Sequence, residues 1–216
     1  MPLEYYSLYK NHPEGRWIIS KEDCERLQKI VRENGCKTIL DLGSGIGAST
    51  YALAEATSGK VWAVEQNKKC HKVAEELLPH DLSSKVEFLH EEPIIVKVDG
   101  IPFERFSAFI KLPGQEWDLI VIDGPGPFLV GPHLAELPNG DIFGIFYKIK
   151  KDCKIYVDNR LATVLLMRRY LYPYLRLLEQ GSGDSFYTVF ERNDVEFVGF
   201  MDAKLSILRL EGYFND

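Results

Sequence analysis

Five carboxylates recur at one kind of position in this chain. Asp41, Glu65, Glu91 or Glu92, Asp123 and Asp158 each stand within or just after the C-terminal end of a short apolar run. Directly after the first of them lies Gly43-Ser44-Gly45-Ile46-Gly47-Ala48, a stretch with little side-chain bulk. Small residues let a ligand approach the backbone closely. Acids gathered in a partly dry crevice repel one another unless donors, cations or protons relieve them. The implied guest therefore carries hydrogen-bond donors or positive charge. Each acid taken singly has a plainer use, capping the next helix or facing water; all of them at one edge point to a site.

The elements that must position these residues follow from pattern. Thr38–Leu42, Val61–Val64, Val86–Leu89, Asp118–Ile122 and Lys154–Val157 are short, apolar and rich in β-branched residues, and read as buried strands. A helix is expected over Ser20–Asn34, where Ser20 and Asp23 offer an N-cap pairing and Gly35 a stop. Further helical segments are expected at Ala48–Thr57, Lys68–Leu78, Ile142–Lys150 and Ala162–Gln180, the last bent at Pro173. Pro93–Leu112 has helical character too, although Val98-Asp99-Gly100-Ile101 reads equally as a hairpin turn. Two final strands, Phe186–Glu191 and Leu205–Leu210, have no long helix between them. This alternation predicts an α/β fold: a doubly wound, mostly parallel sheet of about seven strands ending in an antiparallel pair. Ligands bind such a sheet outside the carboxyl ends of its strands, where strand order reverses.

Composition agrees with that class. With 45% hydrophobic and 27% charged residues, the 216-residue chain is neither disordered, collagenous nor a membrane span. The N-terminus lacks a basic start and a long apolar core, so no signal peptide or anchor is read and a cytoplasmic protein is expected. A net charge of -6 gives no global attraction to nucleic acid, and the basic cluster Lys148, Lys150, Lys151 and Lys154, with Arg168 and Arg169, reads as a solvated face. Cys24, Cys36, Cys70 and Cys153 have neither zinc-type nor redox spacing and are expected to be free, buried thiols.

Gly43-x-Gly45-x-x-Ala48, with Glu65 about 20 residues onward, satisfies a dinucleotide fingerprint. The longer pattern is more selective. An acid two positions before the first glycine, followed by Gly43-x-Gly45-x-Gly47, resembles the first motif of the class I S-adenosylmethionine-dependent methyltransferases. Val61-Trp62-Ala63-Val64-Glu65 is similar to that family's second strand with its ribose-binding acid. Val86-Glu87-Phe88-Leu89-His90-Glu91-Glu92 is similar to its third strand with the adenine-side acid, and Trp117 to Gly124 to its fourth. The resemblance implies a Rossmann-like domain over residues 37–216 and a helical, aromatic cap over residues 1–36. It also implies roles: Gly43, Gly45 and Gly47 admit the methionine portion, and Asp41 polarises the loop or reaches the ammonium through water. Glu65 takes the ribose hydroxyls, and Glu91 or Glu92 accepts from the adenine amine. Asp123 becomes the candidate base beside the methyl, the alternative being an Asx turn onto Gly124-Pro125-Gly126-Pro127. The expected cofactor is S-adenosylmethionine and the expected acceptor a small molecule, with oxygen the preferred atom. A non-catalytic cofactor-binding scaffold and a nicotinamide-dependent oxidoreductase are the competing readings.

Asp123 with Asp158-Asn159 also resembles, in part, the divalent-metal ligands of the cation-dependent O-methyltransferases. Three hard oxygen ligands suit Mg²⁺ or Ca²⁺, and such an ion would lower the pKa of a bound hydroxyl and hold two acceptor oxygens together. The chain departs from that pattern at Arg160, directly after the pair, and in the Pro/Gly-rich segment after Asp123. The competing reading makes Asp158-Asn159 the cap of a helix starting at Leu161. Asp123-Gly124-Pro125-Gly126-Pro127-Phe128 departs from the motif of methyltransferases acting on planar nitrogen. Gly131-Pro132-His133 is a candidate acceptor wall, His133 a candidate base or surface residue, and His90 an adenine-side packing residue. Tyr5, Tyr6, Tyr9, His12 and Trp17 either cover the acceptor or bury aromatic surface against the sheet.

Overall fold

The computed structural model describes residues 5–91, 93–98, 101–106, 116–124, 126, 128–130, 133–135, 138–181 and 186–195. Glu92, Pro125, Gly131, Pro132 and the expected strand Leu205–Leu210 lie outside the described residues. The helices are α1 (Tyr6–Asn11), α2 (Lys21–Asn34), α3 (Ala48–Ala56), α4 (Lys68–Leu77), α5 (Asp141–Ile145) and α6 (Leu161–Leu171). The strands are β1 (Thr38–Leu42), β2 (Lys60–Glu65), β3 (Val86–His90), β4 (Pro93–Val98), β5 (Ile101–Phe106), β6 (Trp117–Ile122), β7 (Phe128–Val130), β8 (His133–Ala135), β9 (Ile149–Asp158), β10 (Leu175–Gln180) and β11 (Tyr187–Arg192).

Local chemistry sets the helix ends. Ser20 accepts from the Asp23 N–H at the start of α2, and Gly35 closes the helix in the left-handed region at φ 60°. Asn67 caps α4 by accepting from the N–H groups of Lys69 and Cys70.

Seven strands form one sheet in the order β10-β11-β9-β6-β1-β2-β3. β1 pairs in parallel with both β2 and β6, so strand order reverses there. Alternation along each strand sorts the core onto two faces. Leu40, Leu42, Ile120, Ile122, Ile155 and Val157 pack against α5 and α6. Ile39, Val61, Leu119, Val121 and Tyr156 pack against α2 and α3. Both faces are covered, as a parallel sheet requires. Among the described residues, no helix is long and apolar enough to cross a membrane.

Four sequence expectations are corrected. The bent helix over Ala162–Gln180 is instead α6, a 3₁₀ turn at Tyr172–Tyr174, and strand β10. Pro173 supplies no N–H and stops the helix, while Leu175–Gln180 pairs antiparallel with β11. The antiparallel element is thus β11, inserted between β9 and β10. Over Pro93–Phe106 the helical reading gives way to its hairpin alternative, β4–β5, with Val98 opposite Ile101 and a β-branched side chain at four of the six β4 positions. The helix over Ile142–Lys150 shortens to α5 and a 3₁₀ turn, because Ile149 already pairs with Trp117 of β6. The basic cluster is not one solvated face: Lys154 is 8% exposed and bonded to Glu191 at 2.6 Å, and Lys150 pairs with Asp118.

The four cysteines are free, with Cys24, Cys36 and Cys153 buried and Cys70 half-buried. Tyr9 is fully buried and stacks on Tyr51, whereas Trp17 is 80% exposed, so the N-terminal aromatics divide between packing and surface.

Candidate functional site at the carboxyl edge

The register brings the acids together. Leu42, Val64, Ile122 and Val157 lie in one row across four adjacent strands. The next residues, Gly43, Glu65, Asp123 and Asp158, therefore line the carboxyl edge at the reversal point.

The glycine loop turns immediately above this row. Gly43 and Ser44 both donate to the Val64 carbonyl, at 2.9 and 3.1 Å. Gly43, Gly45 and Gly47 all adopt positive φ, of 82°, 56° and 93°, but their surroundings differ. A side chain at Gly43 would strike the Gly124 backbone at 2.3 Å, so this glycine lets the loop close onto the end of β6. A side chain at Gly45 would meet no described residue within 4 Å: among the described residues this glycine faces open space. Gly47 is the N-cap of α3 and lies against Ala74 of α4.

Glu65, 6% exposed, ties β2 to the loop. Its Oε2 accepts from the Gly45 N–H and its Oε1 from the Asn67 N–H, both at 2.7 Å. Each oxygen keeps a second lone pair. Burial raises its pKa against the opposing pull of these donors. Asp41 has no exposure. It points to the α3 face, where Ser49 and Thr50 of the first helical turn donate to its Oδ2 at 2.8 and 2.7 Å. Its Oδ1 and the buried Ser44 Oγ have no partner among the described residues. Burial pushes the Asp41 carboxyl from 3.8 up to about 6. On the β3 side, Glu91 is half-buried and donates its N–H to the Glu65 carbonyl. His90 is hydrogen-bonded through Nε2 to the Gln66 carbonyl at 2.9 Å and lies edge-on to His71.

On the other side of the reversal point, Asp123 and Asp158 stand level at the ends of neighbouring strands, following the paired Ile122 and Val157. Burial is the main cause that raises both, helped by their mutual repulsion at Asp123 and by the Asp23 charge at Asp158, which reaches about 7. The Asp123 backbone is held on three sides. Its N–H donates to Leu42, its carbonyl accepts from Arg160, and the following Gly124 carbonyl accepts from Asn139 Nδ2. Arg160 Nη2 also lies 3.8 Å from Asp123 Oδ1. Asn159 is exposed at φ 41° and donates its N–H to Phe186. Arg160, not the Asp-Asn pair, occupies the N-cap of α6, without a side-chain capping bond. The pair therefore does not supply the N-cap of α6, and Asn159 is an exposed residue beside the buried acids.

Reasoning from sequence passed over the layer behind Asp158. Asp23, 3% exposed, accepts from Ser20, Arg26 and the Tyr156 hydroxyl, the last at 2.8 Å. Arg26 lies over the Tyr187 ring at 3.6 Å, and Tyr187 stacks on Tyr156. The Ser20/Asp23 pairing was visible as a helix start, but nothing marked Tyr156 as its distant partner. His133 lies in β8, where only the backbone is described.

These shifts carry a stability prediction. Asp41 and Asp158 are near 4 when unfolded and at about 6 and about 7 when folded, so the native state favours their protonated forms. The stabilisation they contribute is full below pH ~4 and is lost as pH rises toward ~7, a carboxyl displaced like Asp41 losing about 3 kcal/mol. The ligand-free protein should melt at lower temperature as pH rises across that window. Asp158→Asn should flatten the profile; an unchanged profile in that variant would remove Asp158 as its source.

No protein-family model and no curated protein matches the chain by sequence. Solved structures do match its architecture. It is similar to the SAH-bound methyltransferase PaMTH1 of Podospora anserina at 15% identity, over 90% of this chain and 89% of that one, with a TM-score of 0.64. TomG, the O-methyltransferase of Streptomyces achromogenes involved in tomaymycin synthesis, solved with SAM, matches at 17% identity, 89% and 91% coverage and a TM-score of 0.62. An O-methyltransferase of Bacillus cereus in complex with SAH matches at 18% identity, 88% and 89% coverage and a TM-score of 0.60. The chain has the fold of these methyltransferases. Within that fold the sheet is seven-stranded and mostly parallel with an antiparallel pair at its end, as the α/β reading expected, although β10 takes part in that pair where a helix had been read.

Proposed function

We propose that this chain is an S-adenosylmethionine-dependent methyltransferase acting on a small-molecule acceptor, with oxygen the favoured atom. The observation that carries the reading is the open side of Gly45, bounded by Glu65 at the reversal point of the sheet. The residues present suit that guest. Gly45 leaves room for the methionine portion, Glu65 retains lone pairs for the ribose hydroxyls, and Glu91 stands on the adenine side. Ser44 Oγ and Asp41 Oδ1 add unpartnered polar atoms beneath the loop.

When bound, S-adenosylmethionine supplies a methyl group already activated on a sulfonium. The chain's own task is then alignment, exclusion of water and, for a hydroxyl acceptor, removal of a proton. Burial holds the carboxyls of Asp123 and Asp158 above the usual carboxylate range, so the pair can receive the acceptor's proton near neutral pH, where an ordinary carboxylate is a poor base. The Leu42, Arg160 and Asn139 bonds hold the Asp123 backbone in place for that task.

Asp41 argues against the dinucleotide reading. It sits under the first turn of α3, the place where a pyrophosphate would need the positive end of a helix. A cationic nucleoside benefits from the same charge. Residues 1–36 serve in this reading as a cap, with α2 covering the acid pair. The free cysteines fit a reducing compartment, the cytoplasm.

Calorimetry tests the assignment. S-adenosylhomocysteine should bind and NAD should not, and Glu65→Ala should weaken that binding by about 1–3 kcal/mol through lost charge-assisted hydrogen bonds. Binding of NAD alone, or an unchanged affinity in Glu65→Ala, would remove the proposal or its central residue.

A further inference from the structure

Three groups recommended a divalent cation at the carboxyl edge, and the side chains around them are engaged in another way. Asp123 and Asp158 end the neighbouring parallel strands β6 and β9, level with each other because Ile122 pairs with Val157. Each lies close enough to feel the other's charge. The third expected ligand, Asn159, is exposed, and its backbone is anchored to Phe186 in the left-handed region. Among the described residues, no group of three His, Cys, Asp or Glu side chains converges to hold a metal. In place of a third oxygen donor stands Arg160, whose side chain is only 12% exposed. It folds back from the end of β9 to donate from Nη2 to the Asp123 carbonyl, and the same nitrogen lies 3.8 Å from Asp123 Oδ1. A divalent ion bound to Asp123 would face that fixed guanidinium at close range, with two like charges in a partly dry crevice.

We propose that Arg160 takes the place of a divalent cation in this chain, so that a guanidinium, not a metal ion, supplies the positive charge beside the Asp123–Asp158 pair. The inference deepens the methyltransferase reading and rests on it for its functional meaning. A metal ion offers exchangeable coordination positions and can chelate two neighbouring oxygens of an acceptor. A guanidinium offers only directed N–H donors and cannot be deprotonated. The acceptor class that fits is therefore one presenting a single hydroxyl, or another lone donor, to the Asp123–Asp158 pair. A vicinal diol or catechol whose recognition depends on chelation does not fit.

Thermal unfolding with MnCl₂ or CaCl₂, against NaCl at matched ionic strength, tests this without any acceptor. The wild-type protein should show no saturable shift up to about 1 mM cation. Arg160→Ala removes the resident charge and should gain a saturable rise of roughly 5 °C with Mn²⁺ or Ca²⁺, lost again on adding Asp158→Asn. Arg160→Gln serves the same purpose with less loss of packing. Saturable binding to the wild-type chain that Asp158→Asn abolishes would overturn the proposal. So would folded Arg160 variants that stay blind to both cations. If neither variant folds, the wild-type titration alone decides. S-adenosylhomocysteine is measured alongside: its failure to stabilise the wild-type chain would remove the methyltransferase reading while leaving the cation result to stand.

Discussion

Gly43→Ala should lower the melting temperature by about 10 °C or more, while Gly45→Ala, two residues away, should leave it within a few degrees. The contrast follows from what each missing side chain would meet. At Gly43 an added methyl would lie 2.3 Å from the Gly124 Cα and 2.4 Å from its nitrogen. Those are backbone atoms, fixed by the Asp123 N–H on Leu42 and by Asn139 on the Gly124 carbonyl. No rotamer relieves the overlap, and the φ of 82° adds about 1–2 kcal/mol of its own, for a total of at least ~4 kcal/mol. At Gly45 the cost is the left-handed backbone alone, about 1 kcal/mol, because no described residue lies within 4 Å. The same methyl should instead fill the space assigned to the ligand and reduce S-adenosylhomocysteine affinity at least tenfold, or about 1.4 kcal/mol. Calorimetry and thermal melts on both variants separate the two roles. Equal losses of stability, or unimpaired binding by Gly45→Ala, would show that the loop is structural throughout.

The second large effect is expected at Asp23→Ala, about 3–5 kcal/mol by urea unfolding. This carboxylate is buried and accepts from Ser20, Arg26 and Tyr156, thereby joining the start of α2 to the middle of β9. Its removal leaves Arg26 with only the more distant Glu179 carboxylate, takes the acceptor from the Tyr156 hydroxyl and weakens the entry to the helix. Asp23→Asn keeps acceptor oxygen and should cost less. After burial, the Asp23 charge is the leading cause that raises Asp158, so both variants should move the loss of stability with pH toward lower pH. A variant as stable as wild type, with the pH profile unmoved, would show that the network carries neither role.

What the sequence made legible was local. Ser20, Asp23 and Gly35 mark α2 to within a residue, because capping depends on three or four neighbours. The β-branched runs mark the central strands, because both faces of a parallel sheet are buried. The glycine spacing located the loop, although its three glycines could not be told apart: their different surroundings come from β6 and α4. The errors fall where distant pairing decides. Leu175–Gln180 has the composition of a helical extension and becomes a strand because Tyr187–Arg192 lies beside it. Lys154 reads as surface until Glu191 arrives to pair with it. Arg160 was visible as a neighbour of Asp158, yet its reach across to the Asp123 carbonyl depends on the spacing of two strands.

The outer margin of the sheet has its own consequence for solubility. Among the described residues, β10 pairs with β11 on one flank and is the terminal strand on the other, with Leu177 and Leu178 44% and 43% exposed. A flat apolar rim of this kind would template addition of foreign strands and, at high concentration, polymerisation. The pairing slips between Leu177 and Glu179, and this kink breaks the even row of donors and acceptors that an incoming chain would need. Arg176 and Glu179 flank it with charge. Straightening that kink would leave the crevice untouched and make the protein sticky.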